Sequence, residues 1–132
     1  MTTSTARPAR PTLAVAATAW AVAFGLVHVL WALGWTVGLG PGAVEQMSGW
    51  FLAYDLVAAV GCFVAGRWAW TLWWPGLLLV AGVLVARVVL GVGQAAADVG
   101  LGKDVLTPTT WVEVVFLVGA VLFVQLVRVT RR

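Results

Sequence analysis

A chain built from four runs of about twenty predominantly apolar residues has one solvent that suits all of them, the hydrocarbon of a bilayer. In this sequence the runs cover about residues 13–37, 48–65, 72–93 and 109–126. Thr12 is placed to cap the first, and the glycine-rich segment from Gly38 to Gly42 to stop it. The third opens through Trp73-Trp74-Pro75, with proline tolerated in a first helical turn, and the fourth through Thr107-Pro108. The expected fold class is all-α: an integral membrane four-helix bundle with short loops, occupying residues 1–132 as a single membrane domain. Residues 1–11 and 128–132 are read as short basic tails. No internal repeat stands out.

Composition excludes the alternatives. Of 132 residues, 62% are hydrophobic and only 10% are charged, whereas soluble domains carry about 25% charged residues. A domain this small has too little interior to hide so much apolar surface. A soluble enzyme, a nucleic-acid module and a disordered tail are thereby ruled out. The net charge of +3 comes from scattered residues with no basic stripe, so no nucleic-acid partner is expected. The single Cys62 excludes an internal disulfide, a C-x-x-C pair and a cysteine-based metal site, and reads as a small apolar helix residue. One histidine cannot give paired axial haem ligands. No metal-ligand spacing, glycine-rich phosphate loop or serine-nucleophile signature is present, so no cofactor, no metal and no catalytic residue is assigned. The absence of Ile and Asn beside heavy Ala, Val, Gly and Arg usage suits a high-GC genome. A bacterial cytoplasmic membrane is the expected location.

Orientation follows from Lys and Arg in short loops. Arg7, Arg10, Arg67, Arg128, Arg131 and Arg132 fall on one side, and Lys103, with Glu45, Asp98 and Asp104, on the other. Both termini are therefore expected in the cytoplasm. Trp68, Trp70, Trp73 and Trp74 would anchor the inner interface, and Trp35, Trp50 and Trp111 the outer one. Arg7 and Arg10 ahead of an apolar run also resemble a secretory signal. The run outlasts the roughly 7–15 apolar residues of a signal peptide and contains His28, so it is read as a retained helix.

Ionisable residues inside spans are costly and are functional candidates by default. There are four: His28, Asp55, Arg87 and Glu113. At about 1.5 Å of rise per residue the topology brings them all into the outer half of the bilayer. Trp20, Phe24, His28, Trp31 and Trp35 share one stripe of the first helix, and Arg87, Gly91, Gln94 and Asp98 one stripe of the third. Buried charges survive by pairing, so Arg87 is expected to meet an acid, Asp55 first and Glu113 next, with His28 in hydrogen-bond reach. The candidate ligand-binding or polar cluster is His28, Asp55, Arg87, Glu113, Trp31, Trp35, Tyr54 and Gln94, ringed also by Trp50 and Trp111. Plainer structural readings stand beside it. His28 would serve as interhelical glue, Arg87 and Asp55 as a register-fixing pair, Glu113 as the end of a Thr110-x-x-Glu113 capping box, and the tryptophans as packing. Gly82 with Ala86, and Gly91 with Ala95, match close-packing pairs of small residues.

Three stretches also resemble a known family: Phe24-Gly25-Leu26-Val27-His28-Val29-Leu30-Trp31-Ala32-Leu33-Gly34, Arg87-Val88-Val89-Leu90-Gly91, and the run from Glu113 to Phe123. They resemble the small bacterial four-helix membrane proteins catalogued as domain-of-unknown-function family 3995. The likeness covers about residues 14–127, and its most specific element is His28-x-x-Trp31-x-x-Gly34. Trp35 stands where that family carries a second glycine, and Val114 where it carries a proline after the acid. The resemblance implies four helices and a shared polar set, and no activity.

Three functions stay open. The first is a non-enzymatic ligand-binding or accessory membrane protein, taking a small apolar or lipid-like ligand besides the membrane lipids themselves. The second is a dimeric proton-coupled transporter or exporter, although His28 stands where an exporter would want an acid. The third is a membrane enzyme acting on a lipid-like substrate with His28 and an acid exchanging protons.

Overall fold

A computed structural model describes residues 10–39, 49–103 and 110–131. Expectations resting on Arg7, Glu45, Ser48, Asp104, Thr107, Pro108 and Arg132 lie outside the described residues. The chain is all-helical: α1 Arg10–Ala32, α2 Gly49–Thr71, α3 Trp74–Gly100 and α4 Thr110–Thr130. Each of the four is long and apolar enough to cross a membrane. Large apolar side chains such as Val57, Val83, Val89 and Leu90 point out of the bundle, a surface suited to lipid and ill suited to water.

The helix ends differ from the apolar runs because backbone chemistry, and not hydropathy, sets them. α1 ends five residues before Val37. Gly34, at φ +92°, lets its own N–H reach the Trp31 carbonyl and the Trp35 N–H reach Leu30, a glycine-terminated Schellman cap. α3 runs past residue 93 through Gln94 and three alanines, strong helix formers, until the same cap forms: Gly102 bonds to Val99 and Lys103 to Asp98. α2 passes residue 65 and α4 passes 126, because Arg67, Trp68 and Arg128 continue a helix while their polar tips reach outward. The basic tails correspondingly shrink. Arg10 is helical, and its Nη2 donates to the Thr130 carbonyl at 2.8 Å, placing a cation at the C-terminus of α4.

Small residues decide the packing. α1 and α2 pack most intimately, α3 and α4 next, α1 and α4 less, and α2 and α3 least. The α1–α2 contact uses Ala14, Ala17 and Ala21 against Ala65, Gly66 and Ala69, all buried. Thr18 Oγ1 donates across it to the Gly66 carbonyl at 3.2 Å. The seam between α1 and α4 turns on Trp20, whose indole fills the space above Gly119 and donates to the Val115 carbonyl at 3.0 Å. Of the small-residue pairs read from sequence, Gly82 faces open space, while Gly91 has a different use described below. α2 and α3 meet only near the tight turn that joins them, where the Trp68 and Trp73 rings lie 5.0 Å apart over Gly76.

Candidate functional site

Gly25 brings α1 against α2 closely enough that a Cβ there would stand 3.1 Å from the Cys62 Cβ and the Phe63 ring. One turn further along α1, that proximity sets His28 against Asp55, with Nδ1 2.8 Å from Oδ1. Both residues are buried, His28 at 3% and Asp55 at 0% exposure. Asp55 Oδ2 is buried too and has no hydrogen-bond partner among the described residues. Three aromatic rings stand edge-on around the imidazole: Phe24 at 4.7 Å, Trp31 at 5.1 Å and Tyr54 at 6.0 Å between centroids.

Across the bundle, Arg87 of α3 grips Glu113 of α4 in a two-point fork, Nη1 to Oε2 at 2.9 Å and Nη2 to Oε1 at 2.5 Å. The fork geometry matches the planar guanidinium to the carboxylate and is stronger than a single contact. The Arg87 Cζ also lies 4.7 Å from the Phe116 ring centre. Sequence reasoning placed an acid on Arg87 and chose Asp55 ahead of Glu113; the acid is Glu113. The reason is helix pairing, since α3 packs on α4 far more than on α2, and the close α1–α2 contact has already given Asp55 to His28. The Glu113 carboxylate therefore has a tertiary partner beyond any capping role.

The two ion pairs are neighbours without touching. Phe24 and Phe116 stand between them, edge to face at 5.2 Å. Trp31 is buried and donates from Nε1 to the Val37 carbonyl at 3.1 Å, and Trp111 donates to the Gly38 carbonyl at 2.8 Å, so both tryptophans tether the segment after α1. The other expected members are elsewhere. Trp35 follows the end of α1 and is 52% exposed, because the cap at Gly34 interrupts the stripe it was read into. Trp50 is 85% exposed. Gln94 bonds to Asp98 at 3.1 Å, one turn along its own exposed face, and joins neither pair.

A cavity of about 460 Å³ runs between α2 and α3, bordered by both His28 and Arg87. Tyr54 stands with them at the polar end; below them the wall is Trp20, Gly61, Val83 and Leu84, closing near Trp68. Its size is that of a site for a small organic molecule, roughly 300–1,000 Å³. It is open sideways, because wall residues such as Tyr54, Leu79 and Val83 are more than half exposed. Chemically it joins a long apolar trough to one polar end. Phe24, Phe116, Gly61 and Gly91 were not named as site members; the placement of Phe24 four residues before His28 and of Gly91 four after Arg87 hinted at their part, and nothing in the spacing marked Phe116 or Gly61. Among the described residues no three His, Cys, Asp or Glu side chains gather as a metal site. The chain matches no protein-family model, no curated protein and no solved structure.

Proposed function

We propose that this chain is a non-enzymatic multi-pass protein of a bacterial cytoplasmic membrane, both termini cytoplasmic, that binds a small apolar or lipid-like ligand in the cleft between α2 and α3. The observation that carries the reading is the cleft itself: an apolar trough of about 460 Å³, open to the side, with two neutralised ion pairs at one end. A lipid-like molecule enters such a site from the bilayer plane and brings a polar head to the only place that can receive one. Membership of the family resembled in sequence belongs to the same proposal, with its shared polar set at the head of the cleft.

The exporter reading asks for a polar path through the whole bundle, whereas the ionisable His28, Tyr54 and Arg87 of the lining stand at one end, with Cys62 and the Trp68 indole beyond them. The enzyme reading asks for an acid that exchanges protons with His28 at the substrate, whereas the acid bonded to His28, Asp55, does not line the cleft, whose other protic side chains are Tyr54, Cys62 and Arg87. Gly61 offers the test, because a Cβ there meets nothing within 4 Å. Gly61→Phe should fill the trough without disturbing the bundle. Mass spectrometry of the purified protein should find a lipid-like molecule retained by the native chain and lost in Gly61→Phe. Equal retention by both would refute cleft binding.

A further inference from the structure

The polar end of the cleft presents hydrogen-bond donors and no net charge. His28 commits Nδ1 to Asp55, which itself does not line the cleft, while the His28 side chain does. Nε2 has no hydrogen-bond partner among the described residues. A pair sealed away from water holds zero net charge, since an uncompensated charge there is far costlier than a neutral contact. Three proton arrangements meet that condition. In one, an imidazolium donates from Nδ1 to the Asp55 carboxylate; in the second, a carboxylic acid donates to a bare Nδ1; in the third, a neutral Nδ1–H donates to an acid whose proton sits on Oδ2. The third strands a buried hydroxyl donor, since Oδ2 has no partner among the described residues, and the other two leave a hydrogen on Nε2.

Arg87 argues the same way. Glu113 cancels its charge and takes two of its N–H bonds, while the guanidinium has five and borders the cleft. An anionic head would find no net positive charge here. A head needing acceptors would find only the Tyr54 hydroxyl oxygen. An uncharged acceptor, held just inside the end of a long apolar trough, is what the donors complement. The α2 wall from Tyr54 to Trp68 runs about 21 Å at the helical rise, room for an extended acyl chain.

We propose that the cleft holds an acyl chain of a neutral glycerolipid, with the ester carbonyl oxygen accepting from His28 Nε2–H and the chain lying along the trough toward Trp68. This rests on the ligand-binding reading above and specifies the ligand for it.

The experiment uses the full chain purified in non-ionic detergent and three probes, dioleoylglycerol, its dioleyl diether analogue and oleate. The two glycerolipids share chains and free hydroxyl, and only the diester has ester carbonyl oxygens. Binding is read from the thermal unfolding midpoint across a titration, and separately from the infrared carbonyl band of carbon-13-labelled dioleoylglycerol. The diester should bind about tenfold more tightly than the diether, the worth of one hydrogen bond, and its labelled band should move to lower frequency in the complex. In the double variant His28→Phe with Asp55→Leu, which removes the pair as a unit and strands no charge, the preference for diester over diether and the band shift should vanish. Should that variant fail to fold, the infrared band of the native complex decides, and an unshifted carbonyl overturns the proposal. Equal affinity for diester and diether, or oleate binding as tightly as the diester, overturns the ester contact and leaves cleft binding standing. No binding by any of the three refutes both.

Discussion

The Glu113 carboxylate lies in the space that a side chain at position 91 would occupy. A Cβ on Gly91 would overlap Glu113 Oε2 and stand 3.0 Å from Arg87 Nη1. The missing side chain is what lets an arginine on α3 close both of its bonds on an acid of α4.

Gly91→Ala therefore sets two effects against each other. Alanine favours a helix interior by about 1 kcal/mol, while overpacking costs about 1–3 kcal/mol and here also splits the fork. The net should be a loss of up to about 2 kcal/mol. In a Glu113→Ala background the obstruction is gone, and the same substitution should become stabilising. Unfolding in mixed micelles across this double-mutant cycle reads the change of sign, and parallel effects in the two backgrounds would contradict it.

The two ion pairs should differ in what breaking them costs. Asp55 is wholly enclosed, whereas the Arg87 and Glu113 side chains are 35% and 40% exposed. His28→Leu, leaving Asp55 alone in the interior, should destabilise by about 3–5 kcal/mol, and Arg87→Leu by less. Each double replacement by apolar residues, His28→Leu with Asp55→Leu and Arg87→Leu with Glu113→Leu, should recover much of the loss. Thermal midpoints of the four variants provide the ordering; a double variant less stable than its single would be evidence against charge stranding.

Gly34 isolates backbone conformation from packing. Its φ is +92° and a Cβ there would meet nothing within 4 Å, so Gly34→Ala should cost about 1–2 kcal/mol through the left-handed backbone alone. Gly61 also has open space but lies inside α2, and Gly61→Ala should raise stability by up to about 1 kcal/mol. The opposite signs are the expected result of one chemical change made at two backbone conformations, measured by the same unfolding assay.

Charge asymmetry predicts the sidedness. In a Cys62→Ala background, Lys103→Cys should react with an impermeant maleimide added to intact cells, and Arg131→Cys only after the membrane is opened. The reverse pattern would invert the orientation proposed.

Hydropathy alone made the number of helices and their approximate centres legible, because a run such as Leu77 to Leu90 has no other economical conformation in an apolar solvent. It did not reveal where helices stop. Trp35 seemed to extend the α1 stripe by spacing, yet Gly34 ends the helix before it, a backbone event invisible to side-chain periodicity. Depth and sign suggested His28, Asp55, Arg87 and Glu113 as one group, and the structure pairs His28 with Asp55 and Arg87 with Glu113. Partner choice stayed hidden because it depends on which helices approach most closely, and that is set by small residues such as Gly25, Ala21 and Gly66 and not by the charges themselves. The cleft was hidden for a related reason: sparse contact between α2 and α3 leaves no mark on either sequence.

Leu72 ends α2 in a left-handed conformation, at φ 54°, and Trp73 bonds back to the Trp68 carbonyl at 3.2 Å. The covalent link between the two helical hairpins thus sits on the side of the molecule where they scarcely touch, and their packed seam, through Trp20, sits on the other. One side is a spine without a thread, the other a thread without a spine. The greatest separation of α2 and α3 beside the turn is accordingly limited by two residues of backbone and not by side-chain attraction. Lengthening that turn by a few glycines would widen the trough from its Trp68 end while leaving the spine, both ion pairs and the polar head in place.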